Sequence, residues 1–127
     1  MKTSSNSPRT PRQLKVGEEL RHALSSVFMR GDYRIHELDS ISITVSEVRI
    51  SPDLANATAY VMPLAGKDAA YVVETLNKHH GQFRKLVSSR VKLRHAPVIH
   101  FKVDESFDQA SKIENLLKKP EVARDLD

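Results

Sequence analysis

The spacing of the hydrophobic residues changes several times along this chain, and the order of the changes restricts the folds that the chain can adopt. Near the N-terminus, apolar residues recur every three or four positions, the spacing that places them on one face of a helix. These residues are Val16, Leu20, Leu24, Val27 and Phe28. Thr10 can cap the helix, Pro11 suits its first turn and Gln13 can complete a capping box. Gly31 is expected to end it.

Strict alternation of apolar and polar residues follows. In "ISITVSEV" the side chains of Ile41, Ile43 and Val45 share one side, as they would in a half-buried strand. The turn residues "SPD" lead into a second predicted strand, from Ala55 to Met62. One face of that strand carries small residues, namely Ala55, Ala57 and Ala59. The pattern predicts a β-hairpin against which a helix can lie closely.

The second half of the chain returns to helical spacing and then to a strand. Apolar residues keep helical spacing from Asp68 to Val91, with Gly81 between them. One continuous helix and two helices that meet at a kink are both compatible with this pattern. Pro97 ends the region, and "VIHFKV" predicts a third strand. A short amphipathic helix over residues 107–117 is expected to follow.

The predicted order is therefore α-β-β-α-α-β, which is the order of a type II KH domain. That fold is of the α+β class, with a three-stranded mixed sheet and helices packed on one face. A chain of 127 residues can hold one such domain with short tails. We predict a flexible basic N-terminal arm over residues 1–9, a single KH-like domain over residues 10–118 and a flexible C-terminal tail over residues 119–127.

Composition excludes several other classes of protein. The chain contains no cysteine, so it can form neither a disulfide framework nor a thiolate metal site. No apolar run approaches the roughly 18 residues that a membrane span needs. The polar start also lacks the apolar core of a secretory signal. We expect a cytoplasmic protein that has no membrane partner.

Positive charge is concentrated in one part of the chain. Residues 67–102 hold eight Lys and Arg against two Asp and Glu, whereas residues 16–66 hold four against seven. A local excess of this size attracts polyanions. The N-terminal arm adds further cations without any acid. The distribution favours an RNA or DNA partner over a merely solvated basic face.

The stretch "NKHHGQFRKL" lies inside this basic region and joins two histidines, a glycine and three cations. If its apolar residues face a core, most of the polar residues around them face outward and can reach phosphates. The candidate RNA-binding residues are Lys78, His79, His80, Gly81, Gln82, Arg84, Lys85, Ser88, Arg90, Lys92 and Arg94. Because aromatic residues make up only 6% of the chain, we expect recognition of RNA shape and backbone more than of bases.

Two stretches resemble a known family, the ribosome-binding factor A family of bacterial small-subunit maturation factors. They are "VSEVRISPDLANATAYV" and "LNKHHGQFRKLVSSRVKLRHAPVIHFKVDES". The resemblance covers about residues 10–118. It is specific because the "SPDL" turn, the helix pair and the "R-x-x-P-x-[IL]-x-F" approach to the last strand occur together and in order.

The resemblance implies a protein without enzymatic activity or cofactor that binds the small (30S) ribosomal subunit and its 16S rRNA. Its implied role is to support late maturation and processing of that rRNA. A monomer is expected, with an assembly GTPase as a candidate further partner. KH domains usually carry Gly-x-x-Gly between the paired helices, whereas this family has Ala-x-Gly at a helix kink.

The three kink positions read His79, His80 and Gly81 in this sequence. Gly81 matches the family pattern, and His79 stands where the family has alanine. Glycine supplies a permissive backbone for the kink. The two histidines could stack on a base or gain charge beside a phosphate, or they could be solvated surface residues.

Two other functions are weighed against RNA binding. A metal or catalytic site at the histidine pair would need three or four converging ligands, and adjacent side chains on a helix point about 100° apart. His95 and His100 could approach in space, but no nucleophile motif or phosphate-binding glycine loop accompanies them. We predict no catalytic residue and no metal site. The remaining alternative is a protein-interaction adaptor that uses its helical face or its acidic tail.

Overall fold

The computed structural model describes residues 9–64 and 68–105. Its elements are helix α1 (Pro11–Arg30), a 3-10 turn (His36–Leu38), strands β1 (Ile43–Ile50) and β2 (Asn56–Pro63), helices α2 (Ala69–Lys78) and α3 (His80–Ser88), and strand β3 (Val98–Val103). The α-β-β-α-α-β order and the α+β class are confirmed. The helix predicted over residues 107–117, the tail over 119–127 and residues 1–8 of the arm lie outside the described residues.

The three strands form one mixed sheet in the order β1-β2-β3. Strand β2 is central, and it pairs antiparallel with β1 and parallel with β3. Buried side chains alternate along β2 and β3, so one face of the sheet meets the helices and the other face carries the exposed residues. The parallel pair requires a long crossover, and α2 and α3 provide it.

The start and the end of α1 follow the local signals in the sequence. Thr10 Oγ1 accepts a hydrogen bond from the Gln13 N–H at 3.1 Å, and Gln13 Oε1 accepts one from the Thr10 N–H at 3.0 Å. At the other end Gly31 adopts a left-handed backbone and donates to the Val27 carbonyl. The Gln13 amide also donates to the Ile50 carbonyl at 3.2 Å. The capping box therefore fastens the first turn of α1 to the end of β1.

Helix α1 lies directly against β1 at Gly17. A Cβ atom added to Gly17 would stand 2.6 Å from the carbonyl oxygen of Val48, which is closer than real Cβ contacts allow. The alanines of β2 were expected to permit such an approach. Ala57 and Ala59 are indeed buried, but Ala55 is exposed and precedes the strand. The close approach of α1 to β1 thus depends on a glycine in the helix.

Strand β1 departs from the strict alternation predicted to begin at Ile41. The strand begins at Ile43, and a bulge lies between Val45 and Glu47. A bulge inserts an extra residue and changes which positions face the core. As a result Val45 and Val48, three positions apart, are both buried.

Four aromatic rings connect α1, α3 and β3 in the core. Phe28, Phe83 and Phe101 stack edge-on or tilted with centroid separations from 5.3 to 6.4 Å, and Tyr33 lies 5.5 Å from both Phe28 and Phe83. Such pairs contribute about 0.5–1.5 kcal/mol each beyond their buried area. Partial burial raises the pKa of the Tyr33 hydroxyl. The cluster fixes α3, whose polar side includes candidate RNA-binding residues, onto the sheet.

Candidate nucleic-acid interface

Helices α2 and α3 are separate and meet at His79. The backbone of His79 has φ −111° and ψ 23°, which is neither helical nor extended. Its N–H donates to the Leu76 carbonyl at 3.1 Å, and its carbonyl accepts from the Gln82 N–H at 2.9 Å. Of the two arrangements compatible with the sequence, the chain adopts the kink, with its backbone groups satisfied on both sides.

Gly81 lies inside the first turn of α3 and not at the kink residue itself. Among the residues that the structure describes, Gly31 is the glycine with positive φ, so the backbone of Gly81 is one that other residues also adopt. A Cβ atom at Gly81 would meet no atom within 4 Å. The permissive backbone of glycine therefore does not account for the kink. Gly81 instead leaves a stretch of exposed main chain beside His79 and His80.

Asn77 holds the junction between α2 and α3 against the sheet. Its side-chain amide donates to the Phe101 carbonyl at 3.0 Å, and its Oδ1 accepts from the Phe101 N–H at 2.8 Å. Because β3 is an edge strand, these two bonds satisfy backbone groups that no neighbouring strand reaches. Sequence analysis missed this residue. The available signal was an asparagine in the last turn of a helix, where asparagine is a weak helix former.

The candidate RNA-binding residues differ in exposure. Three of them are half-buried, namely His79, Gln82 and Arg90. The exposed ones are Lys78, His80, Gly81, Arg84, Lys85, Ser88, Lys92 and Arg94. The structure thus places most of the set on the outside of α3 and of the segment after it.

Two of these side chains are bonded to neighbouring loops. Gln82 Oε1 accepts from the Arg34 N–H at 2.8 Å, which ties the loop after α1 to α3. Arg84 donates through Nε and Nη2 to the Ala96 carbonyl at 3.0 and 2.9 Å, which holds the segment that leads into β3. Both residues therefore shape the surface from which a ligand would be bound.

Arg90 also makes internal bonds. Its Nη2 forms a short ion pair with Asp32, and its Nη1 donates to the Leu86 carbonyl at 3.0 Å. The side chain of Ser88 similarly donates to the Lys85 carbonyl at 2.8 Å. Arg90 thus links the residue that follows the cap of α1 to the segment that follows α3.

The side chains of four cations of the candidate set make no hydrogen bond or ion pair with another residue of the described ranges. They are Lys78, Lys85, Lys92 and Arg94. Lysine and arginine side chains in this state can turn toward phosphate oxygens without breaking an internal bond. These four residues are the strongest candidates for contacts with a polyanion.

The histidines do not converge on a shared ligand site. Within residues 9–64 and 68–105 no group of three or more His, Cys, Asp or Glu side chains is arranged to hold a metal ion. His95 is exposed before β3, and His100 Nε2 lies 3.4 Å from Asn56 Oδ1 on the exposed face of the sheet.

The described helices include none that is long and apolar enough to cross a membrane.

Comparison with known proteins identifies the same family as the resemblance seen in the sequence. A model of the family described as ribosome-binding factor A matches residues 12–117 of this chain. Ribosome-binding factor A of Paramagnetospirillum magneticum is 48% identical over 120 residues, which cover 94% of this chain and 84% of the relative.

Solved structures share the fold. The crystal structure of ribosome-binding factor A from Thermus thermophilus superimposes with a TM-score of 0.58 at 20% identity, covering 72% of this chain and 94% of that one. A homology model of the Thermus thermophilus protein, fitted into an electron cryo-microscopy map of its complex with 30S, matches equally well, with a TM-score of 0.58 at 20% identity. The match covers 73% of this chain and 96% of the other.

Proposed function

Because this chain belongs to the ribosome-binding factor A family, we propose that it binds the small ribosomal subunit through 16S rRNA at the junction of α2 and α3. We call this the junction surface and define it by Lys78, His79, His80, Gly81 and Lys85. The observation that carries the proposal is the placement of two exposed lysines on either side of the helix kink, with no bonded partner for either side chain among the described residues. The Thermus protein of the same fold, fitted into a map of its 30S complex, supports the choice of partner.

Contact with phosphates accounts for the affinity of such a surface. Each lysine that meets a phosphate releases condensed counterions, so binding is strong at low salt and weakens steeply as salt rises. The exposed main chain at Gly81 lets an RNA backbone come closer than a side chain would allow. The junction surface itself contains no Phe, Tyr or Trp, and the rings of Phe28, Phe83 and Phe101 are buried in the core, so none of these rings offers a surface there for base stacking. Recognition therefore rests on the shape and backbone of folded RNA.

The proposed role in late maturation follows from binding alone. A protein that binds one conformation of the rRNA more tightly than the others stabilises that conformation by the difference in binding free energy. Processing enzymes then act on an rRNA held in the form that they require. We propose a monomeric binding protein that supports processing and performs no chemistry itself, and an assembly GTPase as a further partner suggested by the family resemblance.

The test compares charge reversals on two sides of the domain. Lys78→Glu and Lys85→Glu alter the junction surface, and Lys102→Glu makes the same change on the exposed face of β3. All three lysines are exposed. Affinity for purified small subunits is measured over a series of salt concentrations.

The two junction variants should bind more weakly, with the slope of log K against log salt reduced by about one for each phosphate that the protein no longer binds. Lys102→Glu should bind like the unmodified protein. If all three variants retain full affinity and the full salt slope while remaining folded, the junction surface does not contact the subunit.

The adaptor alternative gains no support from the described surface. Four large apolar side chains are exposed, namely Leu14, Met29, Leu64 and Tyr71. Individually exposed apolar residues are normal for soluble proteins. A binding isotherm that hardly changes with salt would nevertheless favour a protein partner over RNA.

A further inference from the structure

An open groove of about 810 Å³ runs between the outer side of α1 and the segment that follows α3. Glu19, His22 and Arg30 line it from α1, and Arg90 and Lys92 line it from the other side. The groove lies at the C-terminal end of α3, whereas the kink at His79 lies at its N-terminal end. The nine residues of α3 span roughly 13 Å between the kink and the groove, at about 1.5 Å per residue, and Lys85 of the junction surface is in the last turn of this helix.

The two walls of the groove are joined by an ion pair. Asp32 directly follows the glycine cap of α1, and Arg90 precedes the lysine on the opposite wall, so the Arg90–Asp32 pair links both sides. The side chains of Arg90 and Asp32 are 24% and 34% exposed, so the pair is partly shielded from water. A groove whose walls are linked in this way is formed before any ligand arrives, which lowers the cost of ordering on binding.

The charge that remains for a ligand is positive. Arg30 and Lys92 are exposed on opposite walls, and neither side chain forms an ion pair or hydrogen bond with another described residue. Arg90 is neutralised by Asp32, and His22 lies 3.2 Å from the Glu18 carboxylate. The groove lining contains one exposed carboxylate, Glu19, which offsets only one of these two cations.

The shape and the lining fit a chain of phosphates better than a small molecule. Small-molecule sites are enclosed and mostly apolar, whereas this groove is open along its length and has cations on both sides. An extended phosphodiester backbone can be contacted by Arg30 from one wall and by Lys92 from the other. We propose that the groove is a second backbone-binding site for rRNA, so that the RNA contacts both ends of α3 at once. This inference rests on the proposed function, since it assigns a second site to the same partner.

Opposite charge changes within the groove provide the test. Arg30→Glu removes one cation, and Glu19→Lys removes the carboxylate and adds a cation. Arg30 lies in the last turn of α1, where a cation stabilises the helix. The neutral variant Arg30→Gln is therefore measured beside Arg30→Glu, and the melting temperature of each variant is recorded. Lys78→Glu and Lys102→Glu report on the junction surface and on the exposed face of β3.

Arg30→Glu should weaken binding to purified small subunits by about three- to tenfold and reduce the salt slope by about one. Glu19→Lys should strengthen binding by a similar factor, a result that structural damage cannot produce. In the double variant Arg30→Glu with Lys78→Glu, the two decreases in log K should add, as expected for separate contacts in one complex.

The outcomes separate the two proposals. If Lys78→Glu weakens binding while Arg30→Glu and Glu19→Lys behave like Lys102→Glu, the groove assignment is overturned and the junction surface stands. If the groove variants change affinity and Lys78→Glu does not, the groove is the contact and the junction surface is not. If none of them changes affinity, both assignments fail.

Discussion

Asn77 and Phe101 exchange two hydrogen bonds, so that a side chain at the end of α2 occupies the position of a neighbouring strand along the edge of β3. The pairing fixes the residue two positions before the kink at His79 to the buried core. It also covers backbone groups that would otherwise be exposed at an edge strand. The Asn77 amide therefore holds the end of α2 against the sheet, in addition to the aromatic cluster that holds α3 there.

Asn77→Leu should lower the free energy of unfolding by about 2 kcal/mol, because the Phe101 N–H and carbonyl lose their partner where water has limited access. For a domain of this size, that change should lower the melting temperature by about 8–16 °C. Asn56→Ala is the matched control, since Asn56 also faces β3 but makes a long contact of 3.4 Å to His100 on the exposed side. Equal melting temperatures for the two variants would show that the Asn77 bonds contribute little.

Gly17→Ala should destabilise the domain by about 1–3 kcal/mol, although alanine is the better helix former. The added Cβ would stand 2.6 Å from the Val48 carbonyl oxygen, so α1 must move away from β1. Denaturant unfolding measures the change. Gly81→Ala serves as the reference, because the same substitution meets open space there and should stabilise by up to about 1 kcal/mol. A neutral Gly17→Ala would contradict the close helix-to-strand contact.

Gly81→Ala and Gly81→Val should weaken subunit binding while leaving the domain folded, with valine the more severe. Gly81 has no positive φ and no neighbour within 4 Å, so any loss reports on the approach of RNA to the main chain and not on strain. Affinity and melting temperature are measured together. Full binding by the valine variant would show that RNA does not approach this backbone closely.

Acid should weaken the hairpin turn through Asp53. The Ser51 hydroxyl at 2.6 Å and the Ala55 N–H at 3.0 Å donate to its carboxylate, and these bonds hold the pKa of Asp53 below its ordinary value of 3.8. A lowered pKa in the folded state stabilises the fold above the pKa of the unfolded chain. That stability is lost as the pH falls from about 4 through the lower pKa of the folded state.

Asp53→Asn keeps an acceptor oxygen but removes this charge. Its melting temperature should lie below that of the unmodified protein near neutral pH and approach it in acid. Thermal unfolding across a pH series measures the difference. A difference that stays constant down to the lowest pH would mean that the Asp53 charge does not stabilise the turn.

His79→Ala should keep the fold, because alanine can adopt the backbone of this junction and is the residue that the family resemblance places there. Most of the affinity for the small subunit should also remain. A loss above about tenfold, equivalent to about 1.4 kcal/mol, would show that the imidazole contacts RNA directly. His100→Ala, on the exposed face of β3, controls for the loss of a surface histidine.

Features set by nearby residues could be predicted from the sequence. The capping box of α1 joins Thr10 and Gln13, three positions apart, and its C-terminal cap needs only the left-handed backbone of Gly31. Helical and strand spacing likewise act over a few residues, so the order of the elements and the α+β class followed from them. The bulge between Val45 and Glu47 did not, since it depends on how β1 pairs with β2.

The candidate site was predictable in outline but not in its internal bonds. Outward-facing cations follow from helical spacing, and the lysines at 78 and 85 are exposed as expected. Pairings between distant residues carry no local signal. Asn77 reaches Phe101 across 24 positions, and Arg90 reaches Asp32 across 58. Sequence reasoning therefore counted Arg90 among the RNA contacts without revealing that it links two loops.

The parallel pairing of β2 with β3 also sets when the domain can be completed during synthesis. The antiparallel pairing of β1 with β2 joins strands that are consecutive in the sequence. In the parallel pair, Asn56 pairs with Val98, a residue that follows both α2 and α3 in the sequence. Translation proceeds from the N-terminus, so α1 and the hairpin leave the ribosome before the strand that anchors Asn77 exists. A nascent chain that ends before β3 lacks the partner that fixes the kink. The side of the domain that carries the proposed junction surface is thus assembled last, after the chain has been made at least to residue 103.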